Sequence, residues 1–180
     1  QGVRAFKMKV GQSGIDKDLH RIKKIQRVLK AQFTIRLDAN QAWTFEEAVS
    51  FGKKIGTNGI DYIEEPFRNY LRIPDFFEET KIPAALDESL TMLNPKELST
   101  FKGLKAAILK PTVLGGFEKC KKFMDAAERS NLQSIISSSF VTAVGLMSLA
   151  NFAALYSNSQ IPAGLGTSSW FKKDLLKNPL

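Results

Sequence analysis

Ala106-Ala107-Ile108-Leu109-Lys110-Pro111-Thr112 is an apolar run that ends in a lysine and is stopped by a proline. It reads as a strand over 105–110 with a charge at its end. Three runs upstream end in acids instead: Leu37-Asp38-Ala39-Asn40, Ile63-Glu64-Glu65-Pro66 and Leu86-Asp87-Glu88. A fourth, Phe6-Lys7-Met8-Lys9-Val10, carries two lysines before the first acid. Strand-end charges in the order lysines, acid, acid, acid, lysine describe an active site distributed around a barrel.

Between these runs lie longer amphipathic stretches. Strands are predicted over 4–10, 33–38, 60–64, 83–87, 105–110, 133–138 and 161–165. The spacing of Leu19, Ile22, Ile25 or Gln26, and Leu29 predicts a helix over 16–31, with Asp16 as its N-cap. Thr44 and Glu47 form a capping-box pattern for a helix over 45–55. Pro74 is expected to interrupt the stretch after the third strand. Asn94, Pro95 and Glu97 mark the start of a short helix. Gly115-Gly116 reads as a strand-to-helix turn rather than a phosphate loop. The helix it opens is expected to bury Phe117, Cys120, Met124 and Ala127. A last helix is expected over about 141–156.

This alternation implies parallel strands with covering helices. A doubly wound sheet would usually show a Gly-rich first turn, and none is present. A (β/α) barrel carries functional side chains at the C-terminal ends of many strands, which is the pattern here. Seven strands are legible where a closed barrel needs eight, so the first strand is expected to lie outside this chain.

Strand parity sorts the charges. Side chains alternate faces, so Lys7 and Lys9 oppose Phe6, Met8 and Val10. Arg36, Asp38 and Asn40 oppose Ile35 and Leu37. Tyr62 and Glu64 oppose Ile63, Asp87 opposes Leu86, and Lys110 opposes Leu109. If the apolar partners pack on helices, every one of these charges faces the barrel interior. Asp38, Glu64 and Asp87, 26 and then 23 residues apart, are expected to converge on one mouth. Crowded carboxylates repel and raise one another's pKa, and a hard divalent cation relieves that. Oxygen ligands favour Mg²⁺ or Mn²⁺ over Zn²⁺, since the chain has one His and one Cys. Lys9 and Lys110 would flank the cation, where a lowered pKa suits general-base work. Lys7 would hold a substrate carboxylate or tune Lys9; its alternative is a salt bridge to one of the acids. Glu65 and Glu88 have the wrong parity and read as rim or supporting residues. His20 reads as a surface residue and Cys120 as core.

The composition sets outer bounds. The chain has 180 residues, 43% hydrophobic and 24% charged, which suits one globular domain. A single cysteine excludes an internal disulfide framework and fits a reducing, cytoplasmic setting. No apolar stretch reaches the about 18 residues of a membrane span, so no membrane association is expected. The net charge of +8 reads as a solvated basic surface or as attraction for an anionic substrate. The lysines are scattered rather than interleaved with aromatics, so no nucleic-acid partner is expected.

Together, Lys7-Met8-Lys9, Asp38-Ala39-Asn40, Ile63-Glu64-Glu65-Pro66, Asp87-Glu88-Ser89 and Leu109-Lys110-Pro111 resemble the enolase superfamily over nearly the whole chain. The fit is to its muconate-lactonizing subgroup, which has a lysine on each side of the substrate. Ala85-Leu86-Asp87-Glu88-Ser89-Leu90, Ile108-Leu109-Lys110-Pro111-Thr112, and Ile136-Ser137-Ser138-Ser139 followed by Gly145-Leu146 are similar to the o-succinylbenzoate synthase family of menaquinone biosynthesis. The resemblance implies that Asp38, Glu64 and Asp87 ligate Mg²⁺. It implies that Lys9 takes an α-proton and then assists departure of the β-hydroxyl as water. Lys110 would stabilise the enediolate by its charge. Lys7, Asn40 and the run Ser137, Ser138 and Ser139 would contact a small carboxylate substrate, expected to be 2-succinyl-6-hydroxy-2,4-cyclohexadiene-1-carboxylate.

The resemblance also implies an enolase C-terminal-type barrel over 1–180, tailing off from about 167. Its first strand and an N-terminal α+β capping domain would lie outside this chain. Gly164-Leu165-Gly166-Thr167 lacks the acid that relatives often carry at the third of these positions. Two other readings remain. One is racemisation or epimerisation of N-acylamino acids or dipeptides on the same scaffold. The other is a non-catalytic basic binding module.

Overall fold

Six parallel strands pair strictly in sequence order: β1 (Ala5–Lys9), β2 (Thr34–Asp38), β3 (Ile60–Glu64), β4 (Ala84–Leu86), β5 (Leu104–Leu109) and β6 (Gln133–Ile136). This computed structural model describes residues 5–28, 33–156, 161–167 and 172–176. Parallel neighbours need a crossover, and helices supply most of them: α1 (Ile15–Val28), α2 (Phe45–Ile55), α3 (Ile73–Thr80), α4 (Pro111–Leu114) and α5 (Phe117–Arg129). A last helix, α6 (Ala143–Tyr156), follows β6.

The sheet curls. Arg36 on β2 extends its guanidinium to 3.5 Å from Gln133 Oε1 at the start of β6, four strands away in the pairing order. Two apolar layers result. The larger lies between the outward strand faces and the helices, around Ile35, Leu37, Ile63, Leu86, Leu109, Phe51, Phe76 and Phe123. The smaller fills the interior with Tyr62, Ala85, Ala106, Ile108 and Ile135. The parity argument holds on both sides: Leu37, Ile63, Leu86 and Leu109 face the helices, and Tyr62 faces inward.

Local signals explain the element starts. Thr44 caps α2 with the reciprocal Glu47 bond, over the predicted 45–55. Asn94, Pro95 and Glu97 form the same box at Pro95–Thr100, which is a 3₁₀ helix. Gly11 turns the chain after β1 at φ +85°, where a Cβ would stand 2.7 Å from that of Ala42. Its N–H donates to the buried carboxylate of Asp18 at 2.7 Å, tying this turn to α1.

Several expectations change. Helix α1 begins at Ile15, so Asp16 lies inside its first turn, where acidic charge suits the helix dipole, and is not the cap. Pro74 opens α3 rather than interrupting it, because the first helical turn has no use for the missing N–H. Phe117 is 40% exposed, while Phe123 takes the buried place on α5. The seventh strand is reduced to one bridge, Ser137 to Gly164. Pro162 beside it has no N–H to offer a ladder. Arg4, Leu29 and residues 30–31 fall outside the described residues. The tail from about 167 returns to the barrel: Ala143 N–H, at the start of α6, donates to Asp174 Oδ2 at 2.9 Å.

Candidate active site at the strand ends

Parallel register lines up the first part of the site. Lys9 lies beside Asp38, and Asp38 beside Glu64. Glu64 pairs with Ala85, two residues before Asp87 on the same face of the chain. Asp38, Glu64 and Asp87 thus end three adjacent strands and are all buried. Lys9 enters from β1 on one flank, and Lys110, just past β5, from the other.

Lysines bind these acids together. Lys7 Nζ donates to Glu64 Oε1 at 2.7 Å and stands 2.9 Å from Asp38 Oδ2. Lys9 Nζ donates to the same Asp38 oxygen at 2.7 Å and also to Asn40 Oδ1. Lys110 Nζ donates to Asp87 Oδ2. Of the two roles and the alternative expected for Lys7, the salt bridge is the one formed, and to two acids.

The charges respond accordingly. Burial would raise the Asp38 carboxyl, but Lys7 and Lys9 outweigh it and hold the pKa below the ordinary value. Glu64 goes the other way, to about 8, because its burial and the neighbouring Asp38 and Asp87 outweigh Lys7. Burial also raises Asp87, against the pull of Lys110. For Lys7, burial would lower the pKa; Glu64 and Asp38 more than offset this and raise it. Two carboxylates thus surround the Lys7 ammonium and favour its charged form.

The donor set fits a hard divalent cation in kind. It consists of three strand-end carboxylates, and Glu64 Oε2 is buried with no hydrogen-bond partner. The arrangement is nevertheless not a closed cage. Among the described residues, no three His, Cys, Asp or Glu side chains are grouped to hold a metal. The expected convergence is thus an ion-pair network, since each acid has taken a lysine ammonium and Lys7 stands between Asp38 and Glu64.

The expected substrate contacts divide. Asn40 is exposed and bridges Lys9 to Glu88, donating to Glu88 Oε1 at 2.8 Å. Ser137 lines an interior cavity of about 110 Å³ with Lys7, Arg36, Tyr62 and Glu64. Ser138 is turned toward the Gly164 segment, bonding Gly164 O at 3.2 Å and the Thr167 hydroxyl at 2.9 Å. Ser139 pairs with the Thr112 hydroxyl at 2.6 Å, outside that cavity. His20 is exposed on α1, and Cys120 is buried on α5, its thiol pushed up to about 11 by burial.

Sequence reading understated Glu65. It is fully buried and accepts four hydrogen bonds, from Asp87 N, Ser89 N, Ser89 Oγ and Gln41 Nε2, at 2.7 to 2.9 Å. Asn40, Gln41 and Glu65 all have positive φ, at 44°, 60° and 43°. Such backbone costs about 1–3 kcal/mol per residue and clusters at functional sites. Strand parity marks Glu65 as not facing the interior, and no local motif announces bonds that join three strand ends.

Comparison with known proteins agrees with this geometry. The family described as Enolase C-terminal domain-like matches residues 1–180. The chain is 32% identical over its whole length to 12% of Protein PHYLLO, chloroplastic, of Arabidopsis thaliana. It is 32% identical to o-succinylbenzoate synthase of Pasteurella multocida, over 93% of this chain and 51% of that one. Among solved structures, MenC from Desulfotalea psychrophila superposes with a TM-score of 0.85 at 27% identity, covering 97% of this chain and 49% of that one. The L-Ala-D/L-Glu epimerase from Bacillus subtilis superposes with a TM-score of 0.81 at 27% identity, covering 97% and 50%. The chain thus spans about half the length of the o-succinylbenzoate synthase and of both structures, and a small part of PHYLLO. Its curled run of parallel strands with acids and lysines at their ends is a partial (β/α) barrel, and the chain belongs to the enolase C-terminal domain-like family.

Proposed function

We propose that this domain carries the site of a Mg²⁺-dependent syn-dehydration, converting 2-succinyl-6-hydroxy-2,4-cyclohexadiene-1-carboxylate to 2-succinylbenzoate and water. The observation that carries the reading is the flanking arrangement: Lys9 and Lys110 stand on either side of three acidic strand ends. The o-succinylbenzoate synthase of Pasteurella multocida, at 32% identity, supports a reading in which the product is o-succinylbenzoate.

Asp38, Glu64 and Asp87 would hold the cation, with Glu64 Oε2 the oxygen already free to do so. When bound, Mg²⁺ supplies positive charge to the substrate carboxylate and so acidifies its α-carbon. Lys9 takes the α-proton. Its ammonium then returns a proton to the departing hydroxyl on the same face, which leaves as water while the ring becomes aromatic. Lys110, as an ammonium, stabilises the negative charge that develops on the carboxylate. Ser137 lines the cavity beside Lys7 and would contact the substrate there.

Epimerisation of a dipeptide or N-acylamino acid is the second reading, favoured by the same opposed lysines and by the epimerase likeness. It needs both lysines as bases. The Gly166 position, without the acid that would hold a substrate amine, disfavours a dipeptide.

The test is incubation of the native polypeptide with Mg²⁺ and the cyclohexadiene substrate, following aromatisation by absorbance. Turnover is expected. No aromatisation, together with α-proton exchange in an N-acylamino acid, would overturn the reading in favour of the second.

A further inference from the structure

The acid-bearing strand ends are joined by one group that touches no lysine in the site. Glu65 Oε1 accepts the backbone N–H of Asp87 and that of Ser89, both at 2.8 Å. Its Oε2 accepts Ser89 Oγ at 2.7 Å and Gln41 Nε2 at 2.9 Å. Gln41 follows β2, Glu65 follows β3, and Asp87 and Ser89 follow β4. The carboxylate is fully buried, and its four acceptor positions are met by four neutral donors.

Backbone geometry points the same way. Gln41 N–H donates to Glu65 O at 2.7 Å, and Glu65 N–H to Ala85 O at 2.9 Å. Gln41 and Glu65 are held at positive φ with no glycine to ease it. Such conformations persist where surrounding bonds over-determine them.

We propose that Glu65 is a positioning residue: its carboxylate clamps the Asp87–Ser89 loop to the ends of β2 and β3 and so sets where the Asp87 carboxylate stands in the site. Glu65 acts through Asp87 and touches no substrate. Its effect on cation affinity rests on the metal reading above; its effect on the loop does not.

The test uses Glu65→Ala and Glu65→Gln in the native polypeptide, with Phe76→Leu as a control that weakens the outer core away from the site. In Glu65→Ala without metal, the amides of Asp87 and Ser89 exchange hydrogen faster than in the wild type. Its affinity for Mg²⁺, read by titrated thermal shift, falls about 10–100-fold, the usual loss for a supporting residue. Glu65→Gln keeps an oxygen for both amides and restores most of their protection. Phe76→Leu lowers Tm and leaves Mg²⁺ affinity unchanged. If Glu65→Ala does not fold, Ser89→Ala removes one of the four bonds and gives a smaller shift of the same sign. Unchanged protection at both amides in Glu65→Ala, or in Ser89→Ala where that variant stands in, overturns the proposal. So does an equal affinity loss in Phe76→Leu. A wild type that ignores Mg²⁺ but shows the amide changes counts against the metal reading and leaves the clamp standing.

Discussion

The barrel interior holds buried charge at two levels, and the two differ in how completely it is paired. Near the N-terminal strand ends, Asp61 uses both oxygens: Arg36 Nε donates to one at 2.8 Å, and Lys105 Nζ lies 2.5 Å from the other. Arg36 also stacks over Tyr62. At the C-terminal ends, Glu64 has one oxygen on Lys7 and the other on nothing. Between the two levels lies the apolar layer of Tyr62, Ala85, Ala106, Ile108 and Ile135. In the lower cluster both oxygens of the buried carboxylate are paired with cations. The upper one keeps an unmet acceptor on Glu64 and a carboxyl whose pKa is displaced to about 8 by burial and by the neighbouring Asp38 and Asp87.

Substitutions should separate the two levels. Lys9→Ala is expected to cut turnover about 10²–10⁴-fold, the worth of a general base, while the thermal response to Mg²⁺ is kept. Loss of both together would argue against Lys9 as the base. Asp61→Ala should instead cost about 3–5 kcal/mol, because Arg36 would be left buried without its acid. Chemical unfolding measures this, and the Mg²⁺ response of the folded fraction should not change.

Cation binding sharpens the contrast further. At a hundredfold excess over Kd, Mg²⁺ should add about 2.7 kcal/mol of stability, and Asp38→Asn or Asp87→Asn should abolish the gain. A Tm indifferent to Mg²⁺ in the wild type would leave the upper cluster as structural as the lower.

A further effect is one of pH. The Glu64 pKa is raised from 4.5 to about 8 on folding, so the folded state binds the extra proton more tightly. Its contribution is complete below about pH 4.5 and is lost as pH rises through about 8. In chelator, Tm should therefore decline across that window, and Glu64→Gln should flatten the decline. A profile for Glu64→Gln identical to that of the wild type would show that another group titrates.

Much of this was readable along the chain. Alternation in β2, β3 and β5 needs only that apolar side chains meet helices, so the inward placement of Asp38, Glu64 and Lys110 follows from period two. The capping boxes at Thr44 and Asn94 are equally local, three residues end to end. Pro162 defeated the strand pattern at 161–165 because ladder bonds depend on the neighbour strand as well as on apolar content. Glu65 escaped because parity says only which way a side chain leaves its strand.

Charge order, side-chain alternation and capping chemistry are nearest-neighbour properties, and they were enough to specify the barrel type and to nominate its acids and lysines. Pairing is different in kind. Lys7 joining Asp38 to Glu64, Glu65 gathering donors from three strand ends, and Asp61 neutralising Arg36 and Lys105 depend on groups 22 to 57 residues apart or on neighbouring strands, brought within 3 Å by the curl of the sheet. Coulomb and hydrogen-bond energies fall off over a few ångströms, so only the folded distances select which charges are spent on each other and which oxygen is left over.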